Sequence, residues 1–115
     1  MKPVIYIAGP YRDERGAYYI GENIQRAREA ALDVWEAGGV AICPHSNTAY
    51  FDGARGIEDQ VWLDGDIEIM RRCDAVYICA LDWHERSRGT REELRIANEE
   101  KIPILYIRSN MIEFY

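Results

Sequence analysis

Four short apolar runs punctuate the chain, and between them apolar residues recur every three or four positions. Pro3-Val4-Ile5-Tyr6-Ile7-Ala8 has no polar interruption and stops at Gly9-Pro10. A β-branched run without alternation predicts a central strand buried on both faces. After the polar stretch Tyr11-Arg12-Asp13-Glu14-Arg15-Gly16, the residues Ile24, Ala27, Ala31, Val34 and Trp35 fall at helical spacing, closed by Gly38-Gly39. Val40-Ala41-Ile42-Cys43 is the second predicted strand. Residues 44–56 read as one long loop holding Asn47, Tyr50, Phe51, Asp52, Gly53 and Gly56, and loops of that length in small domains tend to carry function. A helix is predicted over 57–72, a strand over 74–79, a helix over 90–101 ahead of Pro103, and a strand over 104–107. The tail 108–115 fits no clear pattern and leaves room for a short extra strand.

This alternation makes right-handed strand–helix–strand units. It predicts an α/β fold with a doubly wound parallel sheet, flavodoxin-like or Rossmann-like, of strand order 2-1-3-4. At 115 residues, without repeats or linkers, the expectation is a single domain spanning 1–115. In such a sheet the loops after strands one, two and three gather at one edge. That brings residues 9–12, Pro44 and His45, and residues 87–93 together.

Composition narrows the partners. The net charge of −6 argues against a nucleic-acid polymer, which requires a basic footprint, but one phosphate needs only a donor or two. No apolar run reaches bilayer length and the N-terminus lacks a signal-peptide layout. Three cysteines without a C-x-x-C spacing, and two histidines far apart, suggest a reducing, cytoplasmic setting and no metal site. No cofactor is indicated. The phosphate-binding G-x-x-x-x-G-K, the dinucleotide G-x-G-x-x-G and the G-x-S-x-G elbow are missing from the sequence, which ranks down the enzyme classes that depend on them.

Candidate chemistry concentrates in Ser87-Arg88-Gly89-Thr90-Arg91-Glu92-Glu93-Leu94. A hydroxyl, a glycine and a carboxylate at a strand–helix junction suit a sugar or phosphate. Thr90 and Glu93 equally suit a capping box, in which both side chains satisfy amides at a helix start. On the helix over 57–72, Trp62, Asp66 and Ile69 share one stripe beside Leu63, Ile67 and Met70. Asp66 is thus a carboxylate among apolar neighbours, where desolvation raises the pKa and favours proton donation; it also suits a structural hydrogen bond at the rim of the buried face. Asp64 reads as solvated. Tyr6 reads as a core aromatic, Arg12 as a phosphate ligand or a solvated charge, and His45 as a ligand contact or a passive loop residue. Trp83, His84, Tyr50 and Phe51 would flank a flat ring or simply pack.

Taken in order, Ile5-Tyr6-Ile7-Ala8-Gly9-Pro10-Tyr11-Arg12, Asp66 eight residues before Asp74, and Ser87-x-Gly89-x-x-x-Glu93 resemble the nucleoside 2-deoxyribosyltransferase superfamily. The spacing is closest to its 2'-deoxynucleoside 5'-phosphate N-hydrolases. The resemblance implies that Glu93 attacks C1' of a deoxyribose and displaces the base, that Asp66 donates a proton to the base or contacts it, and that Tyr6 orients Glu93. It implies a sugar-phosphate pocket of Gly9, Arg12, Ser87 and Gly89. It further implies a homodimer or larger assembly in which a neighbouring subunit's residue near the C-terminus, Ser109 or Asn110, completes each site. Glu92 would point elsewhere on the helix. The chain departs from the N-hydrolases in having Pro10-Tyr11 after Gly9 and an aromatic loop after His45. The expected activity is cleavage or transfer of the N-glycosidic bond of a deoxynucleoside or its 5'-monophosphate. The alternatives are a transferase on free deoxynucleosides and a non-catalytic nucleotide sensor, which would not need both carboxylates.

Overall fold

The computed structural model describes residues 1–11, 13–79, 87–108 and 111–114. Its sheet has the strand order β2-β1-β3-β4-β5, with β1 Val4–Ala8, β2 Val40–Ile42, β3 Ala75–Ile78, β4 Ile104–Arg108 and β5 Met111–Phe114. The first four strands are parallel in the predicted order 2-1-3-4, with Tyr6 opposite both Ile42 and Val76, and Ile78 opposite Tyr106. The tail, which fitted no pattern, returns as β5 and pairs antiparallel to β4, Leu105 opposite Phe114.

Helices cover both faces. On one, Ile5, Ile7, Ala75 and Tyr77 pack against Ala27, Ala30, Ala31 and Val34 of α1, Ala17–Glu36. On the other, Tyr6, Ala8, Val76, Ile78 and Ile104 meet Ile67, Met70, Leu94, Ile96 and Ala97, from α3, Asp59–Arg71, and α4, Arg88–Glu99. This double burial explains why β1 reads as one continuous apolar run: alternate residues face different helices. Trp35, placed by spacing on the α1 stripe, is instead exposed; it lies one residue past Val34, which takes the buried position at that end of the helix. The helix ends as predicted. Gly38 takes φ +93°, and the amides of Gly38 and Gly39 bond to the carbonyls of Trp35 and Val34 at 3.1 and 3.0 Å, a Schellman closure that favours glycine at the left-handed position.

Two further expectations need correction. Residues 44–56 are not one loop: they hold the short helix α2, Pro44–Asn47, and a 3-10 turn at Ala54–Gly56. Pro44 opens α2 with its fixed backbone angle. The α4 helix begins at Arg88, with Ser87 as its N-cap, so Thr90 lies in the first turn and the Thr90–Glu93 capping box does not form. Among the described residues no helix is long and apolar enough to cross a membrane.

Candidate functional site

The carboxyl ends of β1 and β3 form the switch point of the sheet, where ligands bind in open α/β folds. A cavity of about 410 Å³ opens there, lined by Gly9, Tyr11, His45, Phe51, Trp62, Asp66, Ser87, Arg88, Gly89 and Glu93 among others. Each structural element supplies part of the wall: the loop after β1, α2 with the following turn, the inner face of α3, and the first turns of α4.

Glu93 is the deepest acid. The α4 stripe that buries Leu94, Ile96 and Ala97 also turns Glu93 inward, leaving it 6% exposed. The hydroxyl of Tyr6, fully buried on β1, donates a hydrogen bond to its Oε2. Burial pushes the Glu93 carboxyl up to about 8, with the nearby Asp66 adding to the rise and the Tyr6 hydrogen bond opposing it. Burial first, and then the charges of Glu93 and Asp66, hold the Tyr6 phenol well above its ordinary range. Asp66, half-buried on α3, is raised to about 6 by desolvation. The apolar neighbours predicted for it are the cause. Glu92 points away into an ion pair with Arg95 at 2.6 Å.

His45 is buried, and its Nε2–H donates to the Pro10 carbonyl at 2.9 Å. That bond fixes the neutral tautomer in which Nδ1 is a bare acceptor, and burial lowers the pKa of the ring so that it stays neutral. Among the described residues Nδ1 finds no partner, and neither does the indole Nε1–H of Trp62. Ser87 caps α4 by accepting from the Thr90 amide at 3.2 Å and the Thr90 hydroxyl at 2.9 Å. Its own hydroxyl proton is not used in either bond, and helix geometry leaves the Arg88 and Gly89 amides without intrahelical acceptors. Gly9 permits a close approach: a Cβ there would lie 2.2 Å from the Cys79 Sγ. At Gly89 a Cβ would be 3.7 Å from Leu63, an ordinary contact, so the fold itself does not demand glycine there.

The predicted set therefore gathers well. Glu93, Asp66, His45, Gly9, Ser87 and Gly89 line one cavity, with Tyr6 directly behind Glu93. Arg12, Ser109, Asn110, Trp83 and His84 lie outside the described residues. Of the aromatic candidates in the loop, Phe51 lines the cavity and Tyr50 does not. Sequence reasoning placed Tyr11 and Arg88 at this edge without a role for either, and read Trp62 only as part of the α3 stripe. Tyr11 donates to Asp52 at 3.0 Å and accepts from the Tyr50 amide at 2.6 Å, tying the first loop to the turn after α2. Trp62 was legible one turn before Asp66 on the same stripe. Arg88, between two nominated residues, bonds to Gln60 at 3.2 Å and so bridges α4 to α3.

The described wall carries six acidic side chains, Asp13, Glu14, Asp52, Asp59, Asp66 and Glu93, against one arginine. That balance disfavours a highly charged ligand such as a triphosphate. Among the described residues no group of three or more His, Cys, Asp and Glu side chains is placed to hold a metal ion. No curated protein and no solved structure matches the chain. A family model does match, over residues 3–107, and the chain belongs to that family, a domain of unknown function (DUF7768).

Proposed function

We propose that this protein cleaves the N-glycosidic bond of a 2'-deoxynucleoside or its 5'-monophosphate through a covalent glycosyl-Glu93 intermediate. The observation that carries the reading is the buried Glu93 carboxyl, held by the Tyr6 hydroxyl beside a second desolvated carboxyl, Asp66, in a cavity of about 410 Å³. That volume suits one nucleoside or nucleotide. The logic is that of retaining glycosidases, in which one carboxylate attacks and a second group manages the proton of the leaving group.

In this scheme a Glu93 oxygen forms a bond to C1' as the C1'–N bond breaks, and the bonding pair leaves with the base. Asp66 supplies the proton that neutralises the base. Water, or the N–H of a second base, then gives its proton to the Asp66 carboxylate as it attacks C1', and the C1'–O bond breaks to release Glu93. Ser87 and the free amides of the α4 N-terminus, with Arg88 beside them, suit a single 5'-phosphate, and His45, which lines the same cavity, suits a sugar contact. Completion of the site by a second copy, through Ser109 or Asn110, and a cytoplasmic setting belong to the same proposal; sedimentation of the purified chain tests the assembly.

The deciding experiment measures free-base release from a panel of deoxynucleosides and their monophosphates by the parent and by Glu93→Gln. Release by the parent, lost in a folded Glu93→Gln, supports the reading. Binding of nucleotides with no release, with or without a second base as acceptor, would replace it with the sensor.

A further inference from the structure

Two polar atoms of residues that line the cavity are shielded and lack partners among the described residues, and they have opposite polarity: His45 Nδ1 accepts and Trp62 Nε1–H donates. A shielded donor without an acceptor is a standing cost in a folded protein and calls for an explanation. Trp62 sits one turn before Asp66 on α3, so both side chains project toward the same side of the helix, and both line the cavity. The Phe51 ring meets the indole edge-to-face at 5.8 Å, and both rings line the same cavity as Asp66.

We propose that the Trp62 indole N–H, together with the Asp66 carboxyl, reads the base, selecting a 6-oxopurine over a 6-aminopurine. This rests on the function proposed above. A 6-oxopurine offers two neighbouring acceptors on one edge, N7 and O6, whereas a 6-aminopurine offers N7 beside an amino donor. Asp66 serves N7 in both, as the proton donor to the leaving group. Trp62 tells them apart. Its N–H meets O6 in one case and an N–H₂ group in the other, and two donors face to face leave both unpaired. The N–H is shielded in this structure while Trp62 as a whole is half-buried, so reading the base requires a rotation of the indole about its side-chain torsions that brings the N–H to the base. Trp62 is thus a specificity-determining contact.

The test compares kcat/KM for deoxyinosine and deoxyadenosine substrates, in the parent and in Trp62→Phe, which keeps an aromatic ring and deletes the donor. The parent should favour the 6-oxo substrate by roughly ten- to a hundred-fold, and Trp62→Phe should bring the ratio within about three-fold. A parent ratio near one, or a Trp62→Phe that slows both substrates equally, would overturn the proposal. A second readout does not depend on catalysis. The chain has three tryptophans, so the Trp62 indole ¹⁵N–¹H resonance is assignable by its loss in the variant, or by elimination with Trp35→Phe and Trp83→Phe. Hypoxanthine added to the parent should shift that resonance, and adenine should not. If no substrate is hydrolysed, the catalytic reading fails while this titration still decides the base reader; equal shifts with both bases, or none with either, overturn it.

Discussion

Replacing Glu93 with glutamine should stabilise the protein, increasingly so as pH rises. In the unfolded chain a glutamate titrates near 4.5; in the fold Glu93 is raised to about 8 by burial. Between those values the native state holds a proton that the unfolded state has released, so the free energy of unfolding falls with rising pH, at about 1.4 kcal/mol per unit. The contribution is fully present below pH 4.5 and is lost as pH rises through about 8. Glutamine matches the shape of the protonated acid, can accept from the Tyr6 hydroxyl, and does not ionise. Relative to the parent, Glu93→Gln should therefore be close to neutral at pH 4.5, about 3 kcal/mol more stable at pH 7 and about 5 kcal/mol more stable at pH 9. Near neutral pH that corresponds to roughly a 10 °C rise in Tm. The difference between variant and parent is the quantity to follow, because neighbours carry slopes of their own. Asp66, also raised, adds a fall of the same sign at lower pH; His45, lowered, gives a rise; and Tyr6 titrates above the range. Urea unfolding of both proteins at pH 5, 7 and 8.5 supplies the data. A constant difference across pH, or a glutamine variant less stable than the parent at pH 8.5, would refute the burial argument.

The same two carboxyls set an unusual pH profile for base release, with limbs near 6 and 8 and a maximum near 7. The attacking acid has the higher pKa and the donating acid the lower, so only about 1% of molecules hold the productive protonation state at the maximum. Asp66→Asn should abolish the alkaline limb and leave a rise centred slightly below 8; a profile flat down to pH 5 would mean that Glu93 titrates normally. Tyr6→Phe removes the hydrogen bond that favours the ionised form, and should lower release at pH 7 by roughly ten- to a hundred-fold, with partial recovery at higher pH. Gly9→Ala should cost about 1–3 kcal/mol in urea unfolding, and adding Cys79→Ala should recover most of it by removing the sulfur 2.2 Å from the new methyl. Gly65→Ala, where a Cβ meets nothing within 4 Å in the exposed middle of α3, should raise stability by about 1 kcal/mol.

Much of this architecture was legible in the sequence because the two covered faces of the sheet impose the pattern. Val4 to Ala8 can be apolar throughout only if helices lie on both sides, and the order 2-1-3-4 then follows from handedness and short connections. Asp66 was legible for a similar reason, since helical spacing set it among Trp62, Leu63, Ile67, Ile69 and Met70. The failures were local. Ser87 and Thr90 are both good cap residues three positions apart, and propensity does not distinguish which one opens α4; burial of Thr90 and Glu93 decides it. The turns after His45 are set by Tyr11 and Asp52 bonding across 41 residues, a contact that no periodicity encodes. Trp35 was misplaced because it sits at the margin of the α1 stripe beside Val34, where spacing alone does not set which neighbour is buried.

The features that pattern reasoning could not supply are those that cost the fold most. Glu93 would be cheaper as glutamine, the Trp62 indole N–H cheaper with an acceptor, and His45 Nδ1 cheaper with a donor. None of the three is needed to close the core, which Tyr6, Val76, Met70, Leu94 and their neighbours already fill. Costs of this kind are ordinarily scattered when they are structural accidents. Here the three residues all line one cavity, at the carboxyl edge where the strand order reverses, together with a desolvated second acid, Asp66. A ligand that presents an electrophilic carbon to Glu93, an acceptor to Trp62 and a hydroxyl to His45 would relieve all three at once. A structural role for any one of these residues would leave the other two unexplained, so the convergence is better evidence for a binding site than any single perturbed group.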